Sequence, residues 1–554
     1  MKKLVFIGAA WPYANGSLHL GHIAALLGAD ILARYYRQKG DDVLFVSGSD
    51  CHGTPIAVAA EKQGIKPLEI AQKYHQEFKE NLINGLNFSY DLFSWTISPF
   101  HQKLVQQIFL DLYQKKYIYK KEQKLPYCPK CQRFLPDRYV EGTCPFCGFE
   151  GARGDQCDQC GQLLSPEELE NPRCKICHST PVWKSTEHFF LRLSVFQEKL
   201  RRWVNNSNGW RINALHSTLD LLEQGLKDRA ITRDLEWGIS VPLPGYENKK
   251  IYVWFEAVCG YLSASQEWAK MQGSKDIWKK FWLDNSALHY YIHGKDNIFF
   301  HTIIWPTILM AYNSQLHLPD RIISSEFLTL EKKQFSTSRD WAVWLSDFLS
   351  EFDSETLRYY LSINGPETAD ADFSWSEYQV RTNNELIGHL GNFVYRIFSL
   401  IKNNFPLGVK FPSNINNQEK VILNLAKNRF LQVGQSIEET QFRQGIKLIF
   451  ELAEAGNRYL DQNEPWRKIK ENATEAERIL AVSAHIIRCL ARLISPYLPL
   501  TSSRISQMIE GEKIQNWSYP PPMERLKLNE IKPLYQKVEE DKVIHYNTAK
   551  KSFL

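Results

Sequence analysis

The stretch KLVFIGAAWPYANGSLHLGH, residues 3–22, decides how the rest of the chain is read. Lys3 to Ala10 are mostly apolar and suit a buried parallel strand. Trp11 to Ser17, with Pro12, Tyr13, Asn15 and Gly16, form a turn cluster. Leu18 to Lys39 then place Ile23, Leu26, Leu27, Ile31 and Tyr35 on one side of a helix, with His19 and His22 in its first turn. A second apolar run, Val43 to Ser47, ends in Gly48, Ser49 and Asp50. Strand, turn, helix and strand make the start of an open α/β sheet, which binds ligands at the carboxyl ends of its strands. Free N–H groups and the dipole at a helix N-terminus attract phosphate. Histidines placed there can donate to phosphate oxygens, and Asp50 at a strand end could hold a cationic amino group. The plainer alternative is that His19 and His22 only cap the helix. The glycine between them favours the ligand reading, because Gly21 allows close backbone approach.

Composition sets the outer limits. The 554 residues suggest three or four domains. Hydrophobic residues at 44% and charged residues at 23% exclude a mainly disordered chain. The net charge of +5 is small for this length, so a local nucleic-acid surface is allowed but not demanded. Aromatics at 13% leave rings to spare for stacking surfaces. Residues 297–319 carry no formal charge, but His301, Pro306, Asn313 and His317 interrupt them, which excludes a membrane span. The opening MKK and its apolar run imitate a signal peptide only faintly, because Pro12, Asn15 and Gly16 cut the run short. A cytoplasmic protein is expected.

Eight of the eleven cysteines fall in four Cys-x-x-Cys pairs: Cys128/Cys131, Cys144/Cys147, Cys157/Cys160 and Cys174/Cys177. Without an export signal disulfides are not expected. Two such pairs complete a tetrahedral site of four sulfurs, so eight thiols make two zinc sites. An iron–sulfur cluster is the rival, and CPKC, CPFC and CDQC read as zinc-ribbon knuckles instead. Nine residues separate the inner pairs, which favours a nested arrangement. One zinc would take Cys144, Cys147, Cys157 and Cys160, and the other Cys128, Cys131, Cys174 and Cys177; sequential pairing is the alternative. Four thiolates leave no open position, so both sites are structural. Cys51, Cys259 and Cys489 stand apart and read as packing residues.

AWPYANGSLHLGH (residues 10–22) and GSDCHGTPI (48–56) together resemble the methionyl-tRNA synthetase family, with HLGH standing as the His-x-Gly-His signature of class I aminoacyl-tRNA synthetases. The resemblance continues through Arg233-Asp234, YVWFEA (252–257) and HGKD (293–296) into the carboxyl-terminal helices, about nine-tenths of the chain. It implies a methionine–tRNA ligase: methionine is activated with ATP and Mg2+, pyrophosphate leaves, and the methionyl group passes to the 3′-terminal adenosine of tRNA(Met). It implies a doubly wound, Rossmann-like parallel-sheet domain with a zinc-ribbon insertion, then a helical-bundle anticodon domain. The expected divisions are 1–117 and 236–325 for the two halves of the catalytic domain, 118–235 for the connective insertion, 326–385 for a signature-loop and stem-contact region, and 386–554 for the anticodon-binding domain and tail. No dimerisation module is seen, so a monomer is expected.

By the same resemblance Tyr13, Trp254, Tyr261 and His301 line the methionine side chain, with Trp11, Pro12, Val258 and Arg233 bordering the substrates. Tyr and His could offer a hydrogen to the sulfur. Asp50 would hold the ammonium, Gly294 and Asp296 the ribose, and His19 and His22 the charge growing on the α-phosphate. The family commonly has an aliphatic residue at Trp11 and Pro at Val258. The larger departure is the second signature, Lys-Met-Ser-Lys-Ser in the family, here Gln334, Phe335, Ser336, Thr337, Ser338 and Arg339. Both lysines are replaced, and one of Lys332, Lys333 or Arg339 is expected to reach the β- and γ-phosphates.

Beyond Glu385 the chain reads as all-α, with Leu386, Leu390, Phe393, Ile397 and Ile401 at helical spacing and core-facing. Asn392 and Arg396 lie on another face and, with Trp466, match family residues that read the CAU anticodon, by stacking and by polar contacts to unstacked bases. Two other readings compete: a sister ligase for another aliphatic amino acid, and a binding-only or non-tRNA-acceptor paralogue with a degenerate second signature.

Overall fold

The computed structural model describes residues 2–136, 139–157, 159–162, 164–335 and 341–543. Strand β1 (Leu4–Ala9) leads through a turn into helix α1 (Leu20–Lys39) and strand β2 (Asp42–Ser49), within two residues of the expected bounds. Gly40 closes α1 at φ 85°, a left-handed position that suits a residue without a Cβ. Strand β3 (Leu92–Trp95) follows two helices later. Strands β4 (Ile118–Cys128) and β5 (Val182–Leu191) then pair antiparallel over their whole length and carry the cysteine-rich segment between them. Strands β6 (Leu288–Gly294) and β7 (Arg321–Ser325) return to the first sheet.

The order of that sheet is β7-β6-β1-β2-β3, and every pairing is parallel. β1 is covered on both sides: Val5, Ile7 and Ala9 join the core under α1, and Phe6 joins the core around Trp282 and Tyr291. The strand order reverses between β1 and β6. Their carboxyl ends therefore part around a crevice, the position where open α/β sheets bind ligands. One side of it is the turn from Ala10 to His19, and the other is His293 to Asp296.

The helical half contains Asn392–Asn404, Asn417–Glu438, Phe442–Asn463 and Ala473–Ile494. Leu386, Leu390, Phe393, Ile397 and Ile401 are all buried, as their spacing requires. The all-α reading misses one feature, a short antiparallel pairing of Val409–Lys410 with Arg525–Leu526. Two-residue strands carry no periodicity to detect. The Pro-led segment after Tyr519 packs back on the bundle through Leu526, Leu534, Tyr535 and Val538. Among the described residues no helix is long and apolar enough to cross a membrane.

One buried ion pair ties α1 to this half. Asp30 and Arg358, on the helix Ser354–Ile363, are both fully buried and meet at 2.7 Å. Arg358 also donates to the carbonyls of Tyr497, Pro496 and Leu86 at 2.7, 3.2 and 3.1 Å. Asp30 accepts from Arg34 at 2.8 Å and from the Ser89 amide and hydroxyl, each at 2.7 Å. Burial alone would raise the Asp30 carboxyl, but Arg34, Arg358 and Ser89 more than reverse this and hold it at about 2. Against an unfolded value of about 3.9, this stability is present above about pH 4 and is lost as pH falls through about 2. Arg358→Ala is expected to cost roughly 3–5 kcal/mol, because it takes one of two cations from a buried carboxylate and leaves three buried carbonyls without their donor. Urea unfolding checks this, with exposed Arg467→Ala as a control expected within about 1 kcal/mol of the parent.

Candidate active site

At the crevice His19 is the N-cap of α1, and the two histidines cap each other's backbone. The Gly21 amide donates to His19 Nδ1 and the His19 amide to His22 Nδ1, both at 3.1 Å. Burial, and then His22, holds the His19 pKa well below its usual value, and burial lowers that of His22 to about 4. Both rings are therefore neutral at pH 7. With each Nδ1 accepting, each proton sits on Nε2. The capping and ligand readings are thus one arrangement: the caps fix the tautomer and present two N–H donors at a helix N-terminus. Gly21 leaves this cap its room, since a Cβ would lie 3.0 Å from the His19 ring and press on it.

The second signature approaches the first. Strand Leu328–Leu330 pairs antiparallel with Lys333–Gln334, and the turn residues Glu331 and Lys332 have φ 47° and 64°. That is the backbone of a two-residue hairpin. The ring of Phe335 then stacks on His19, with centroids 4.7 Å apart and planes 8° from parallel. Beyond it, Leu345 N–H donates to Leu18 and Leu20 N–H to Val343. The Lys332 amide bonds Asp372 at 2.7 Å, and the Lys333 ammonium lies 5.2 Å from the Trp341 ring; both side chains are exposed. Ser336, Thr337, Ser338 and Arg339 lie outside the described residues.

Asp50 is zipped to the turn: its amide donates to Pro12 O at 2.9 Å and its carbonyl accepts from Ala14 at 2.8 Å. Its carboxylate is buried and accepts one long bond, 3.4 Å, from the His52 amide. Burial and the charge of Glu256 push its pKa well up. Glu256 is fully buried and accepts from His52 Nδ1 at 2.8 Å and His101 Nε2 at 3.1 Å. Burial opposes its ionisation, yet His52 and His101 outweigh burial and hold it below the usual range. The chain thus keeps one carboxylate charged and a second, Asp50, in want of a cation. Glu256 and His52 stand inside motifs that the sequence leaves without a role for them, because their partnership spans 204 residues.

The aromatic residues assemble beside Asp50. Trp254 stacks on Phe300 at 3.8 Å and meets Tyr13 edge-on at 6.0 Å. Phe300 was not foreseen, since nothing in the chain's periodicity separates it from Phe299. The Tyr261 hydroxyl and His301 Nε2 lie 2.7 Å apart, and His301 Nδ1 donates to Asn297 O at 2.8 Å. His301 is held neutral by burial, which lowers it to about 4, so the Tyr261 hydroxyl is the donor of that pair. Both hydrogens the sequence reading assigned to a thioether are thus already engaged within the wall. Tyr261 lies flat on β1 at Gly8, where a Cβ would fall 2.8 Å from the ring. The unexpected Trp11 is wedged against Gly48 and Gly260, whose Cβ positions would lie 2.7 and 2.8 Å from the indole. Val258 is buried in the core behind this wall.

Gly294 and Asp296 stand at the end of β6, with Asp296 exposed. Lys295 between them bridges Glu326 at 2.7 Å and Asp370 at 2.9 Å. Arg233 stacks over Tyr252 at 3.9 Å and donates to the Ala230 and Thr232 carbonyls. Tyr252, Tyr13, Trp254 and Trp237 line a small cavity that Asp155 also reaches, from the loop between Cys147 and Cys157.

The thiols gather in the nested sets, not in sequence order: Cys128, Cys131, Cys174, Cys177 and Cys144, Cys147, Cys157, Cys160. Four Sγ–Sγ separations, one for each of two pairs per set, run from 3.4 to 3.9 Å. A tetrahedron of thiolates about 2.3 Å from zinc has edges of about 3.8 Å, so both sets fit the metal. The residue after each second cysteine is left-handed: Gln132 at 51°, Gly148 and Gly161 at 73°, and His178 at 57°. Cys51, Cys259 and Cys489 are fully buried apolar fillers.

In the helical half Asn392 and Arg396 are exposed on one helix. The Arg396 guanidinium lies 5.5 Å from the Trp466 ring and bonds Asp461 at 3.1 Å. Arg396 and Trp466, two of the three expected anticodon residues, therefore share one neighbourhood, with Asn392 one turn away on the helix of Arg396.

A parallel sheet with capped paired histidines at its switch point, followed by a helical bundle, defines a class I tRNA synthetase, and residues 5–398 match the family model described as tRNA synthetases class I (M). Residues 411–547 match the anticodon binding domain of methionyl tRNA ligase. The methionine–tRNA ligases of Dehalococcoides mccartyi (strain 195) and Bacillus cereus (strain B4264) are 47% and 44% identical, over 99% and 98% of this chain and 100% and 98% of theirs. The chain belongs to the methionine–tRNA ligase family. The fold also matches Mycobacterium tuberculosis methionyl-tRNA synthetase in complex with methionyl-adenylate, with a TM-score of 0.81 and 21% identity over 97% of this chain and 100% of that one.

Because its raised pKa makes ionised Asp50 a burden on the fold, Asp50→Asn is expected to raise Tm, by roughly 2–4 °C. Differential scanning calorimetry at pH 7.5 checks this; a lower Tm would make the carboxylate structural.

Proposed function

We propose that the crevice joins L-methionine to tRNA(Met) in two steps. The methionine carboxylate attacks the α-phosphate of ATP in line, and pyrophosphate leaves. The 3′-terminal hydroxyl of the tRNA then attacks the methionyl-adenylate, releasing AMP. The observation that carries this is the cap-locked pair of Nε2–H donors on His19 and His22. Charge grows on the α-phosphate oxygens in the first transition state, and preorganised neutral donors stabilise it without moving.

The other roles follow from chemistry on the same walls. Asp50 takes the methionine ammonium, which supplies the cation that its burial and Glu256 leave wanting. Tyr13, Trp254, Tyr261 and His301 face the thioether, which is polarizable and packs on aromatic rings. Trp11, Pro12, Val258 and Arg233 shape that wall from behind. Gly294 and Asp296 hold the ribose. Ser336, Thr337, Ser338 and Arg339 belong to the second signature, Lys332 and Lys333 precede it, and one of these three cations reaches the β- and γ-phosphates that leave as pyrophosphate. Zinc in the two four-cysteine sets would cross-link the insertion, and Mg2+ bound with ATP would neutralise phosphate charge. Asp155 of the insertion reaches the cavity lined by Tyr13 and Trp254, which supports a role for the insertion in guiding the tRNA 3′ end. Eight reduced thiols and a tRNA substrate fit a cytoplasmic location.

Amino-acid-dependent ATP–pyrophosphate exchange across all twenty amino acids, without tRNA, tests the function. Exchange with methionine alone is expected. Exchange with another amino acid would make the chain a sister ligase, and none from folded, metal-replete protein would favour the binding-only paralogue.

Asn392, Arg396 and Trp466 are proposed to read the anticodon, Trp466 by stacking. Trp466→Ala is expected to raise the KM for tRNA about 10- to 100-fold, the worth of one stacked base, while exchange stays unchanged. Equal loss of charging and exchange would remove this assignment.

A further inference from the structure

The wall that holds Tyr261 and His301 contains a residue with no role in the scheme above. His293, on β6 one residue before Gly294, is fully buried. Its ring lies against that of His301, with centroids 4.1 Å apart and planes 17° from parallel. His293 Nδ1 donates to the Gly294 carbonyl at 2.9 Å, which leaves Nε2 a buried acceptor with no hydrogen-bond partner among the described residues. A buried unpaired acceptor is costly, and an aliphatic residue at this place in the strand would avoid the cost. The fold keeps one flat ring against another instead.

His301 is already committed at both nitrogens. Nδ1 donates to Asn297 O and Nε2 accepts the Tyr261 hydroxyl, and these two bonds fix the ring's rotation in its own plane. They do not fix its tilt. The His293 ring does, pressing on one face of the imidazole. Tyr261 is held from its other sides by Gly8 beneath it and by Tyr291 edge-on at 5.0 Å. The tilt of His301 is therefore the remaining freedom by which the Tyr261 hydroxyl could shift. Burial, and then His301, lowers the His293 pKa well below its usual value, so two neutral rings stack without charge repulsion.

We propose that His293 is a positioning residue for amino-acid recognition: by stacking on His301 it sets the place of the Tyr261 hydroxyl, and with it the Tyr261 ring on which the thioether packs. This rests on the assignment of Tyr261 and His301 to the methionine pocket. A thioether chain is unbranched and flexible, and an apolar wall that gives way discriminates poorly between it and a hydrocarbon of equal length. A wall of fixed tilt keeps the Tyr261 ring in one place against the polarizable sulfur, and that sulfur–aromatic contact is what a hydrocarbon lacks.

Exchange kinetics of the full-length enzyme, with methionine and norleucine as separate substrates, test this in His293→Ala and His293→Phe. The alanine variant is expected to raise the methionine KM about tenfold, leave the ATP KM within about twofold, and shrink the preference for methionine over norleucine in kcat/KM about fivefold. The phenylalanine variant keeps a flat ring on His301 and discards Nε2, and is expected to restore both values to within about threefold. If the alanine variant does not fold, His293→Leu replaces it with the same expectations. An alanine or leucine variant with the parent's methionine KM and norleucine preference overturns the proposal. So does a phenylalanine variant no better than alanine, which would hand the role to Nε2. A parent enzyme without methionine-dependent exchange would remove the pocket assignment and this proposal together.

Discussion

Two charges taken wholly out of water, Asp30 and Arg358, fix the relation between the halves of this molecule. Such a pair is tolerable only when every lone pair and proton finds a partner. Here Asp30 accepts from Arg34, Ser89 and Arg358, and Arg358 is spread over three backbone carbonyls as well. Those carbonyls come from the loop after the first helical pair and from the end of the long helix Ala473–Ile494. The centre of α1 is thus clamped to the bundle that carries Trp466. The amino end of the same helix carries the two imidazoles of the crevice. A rigid rod, clamped in the middle, joins the proposed chemistry to the proposed anticodon surface.

The crevice is built on commitments of the same kind. Four of its imidazoles have one nitrogen spent on backbone, His19 and His22 on amides, His293 and His301 on carbonyls. The backbone therefore chooses the tautomer at these four positions. At α1 the amides leave protonated Nε2 atoms outward, which suits an anion. At the end of β6 and in the turn after it, the Gly294 and Asn297 carbonyls leave bare Nε2 atoms, which suits a hydroxyl donor. Donor and acceptor sides of the site are set by which strand or helix end the ring leans on.

Much of this was legible from residue order. The strand–turn–helix unit was readable because β1 is buried on both faces and α1 has one apolar side. Nested cysteine pairing was readable because nine residues separate the inner pairs. What escaped reading depends on contacts across long separations. Glu256 meets His52 and His101 at 204 and 155 residues' distance, and no local pattern announces a carboxylate shared by two imidazoles. Trp11 looked like a disturbance of the pocket; it is admitted because Gly48 and Gly260, on two other elements, leave room for an indole. The expectation that Tyr261 and His301 hold free hydrogens failed for the same reason, since Asn297 and the two side chains consume them.

Nesting also gives the insertion an order of assembly. The inner thiols Cys144 and Cys160 are 16 residues apart, and the outer Cys128 and Cys177 are 49 apart. Closing the longer loop costs about 1 kcal/mol more chain entropy than closing the shorter one. The inner set is also complete when Cys160 leaves the ribosome, before Cys174 has emerged from it. Once closed, it shortens the loop the outer set must span, and so lowers that entropic cost. The insertion therefore assembles from its centre outward, and its last act is to draw β4 and β5 together at the base, where the ribbon rejoins the sheet.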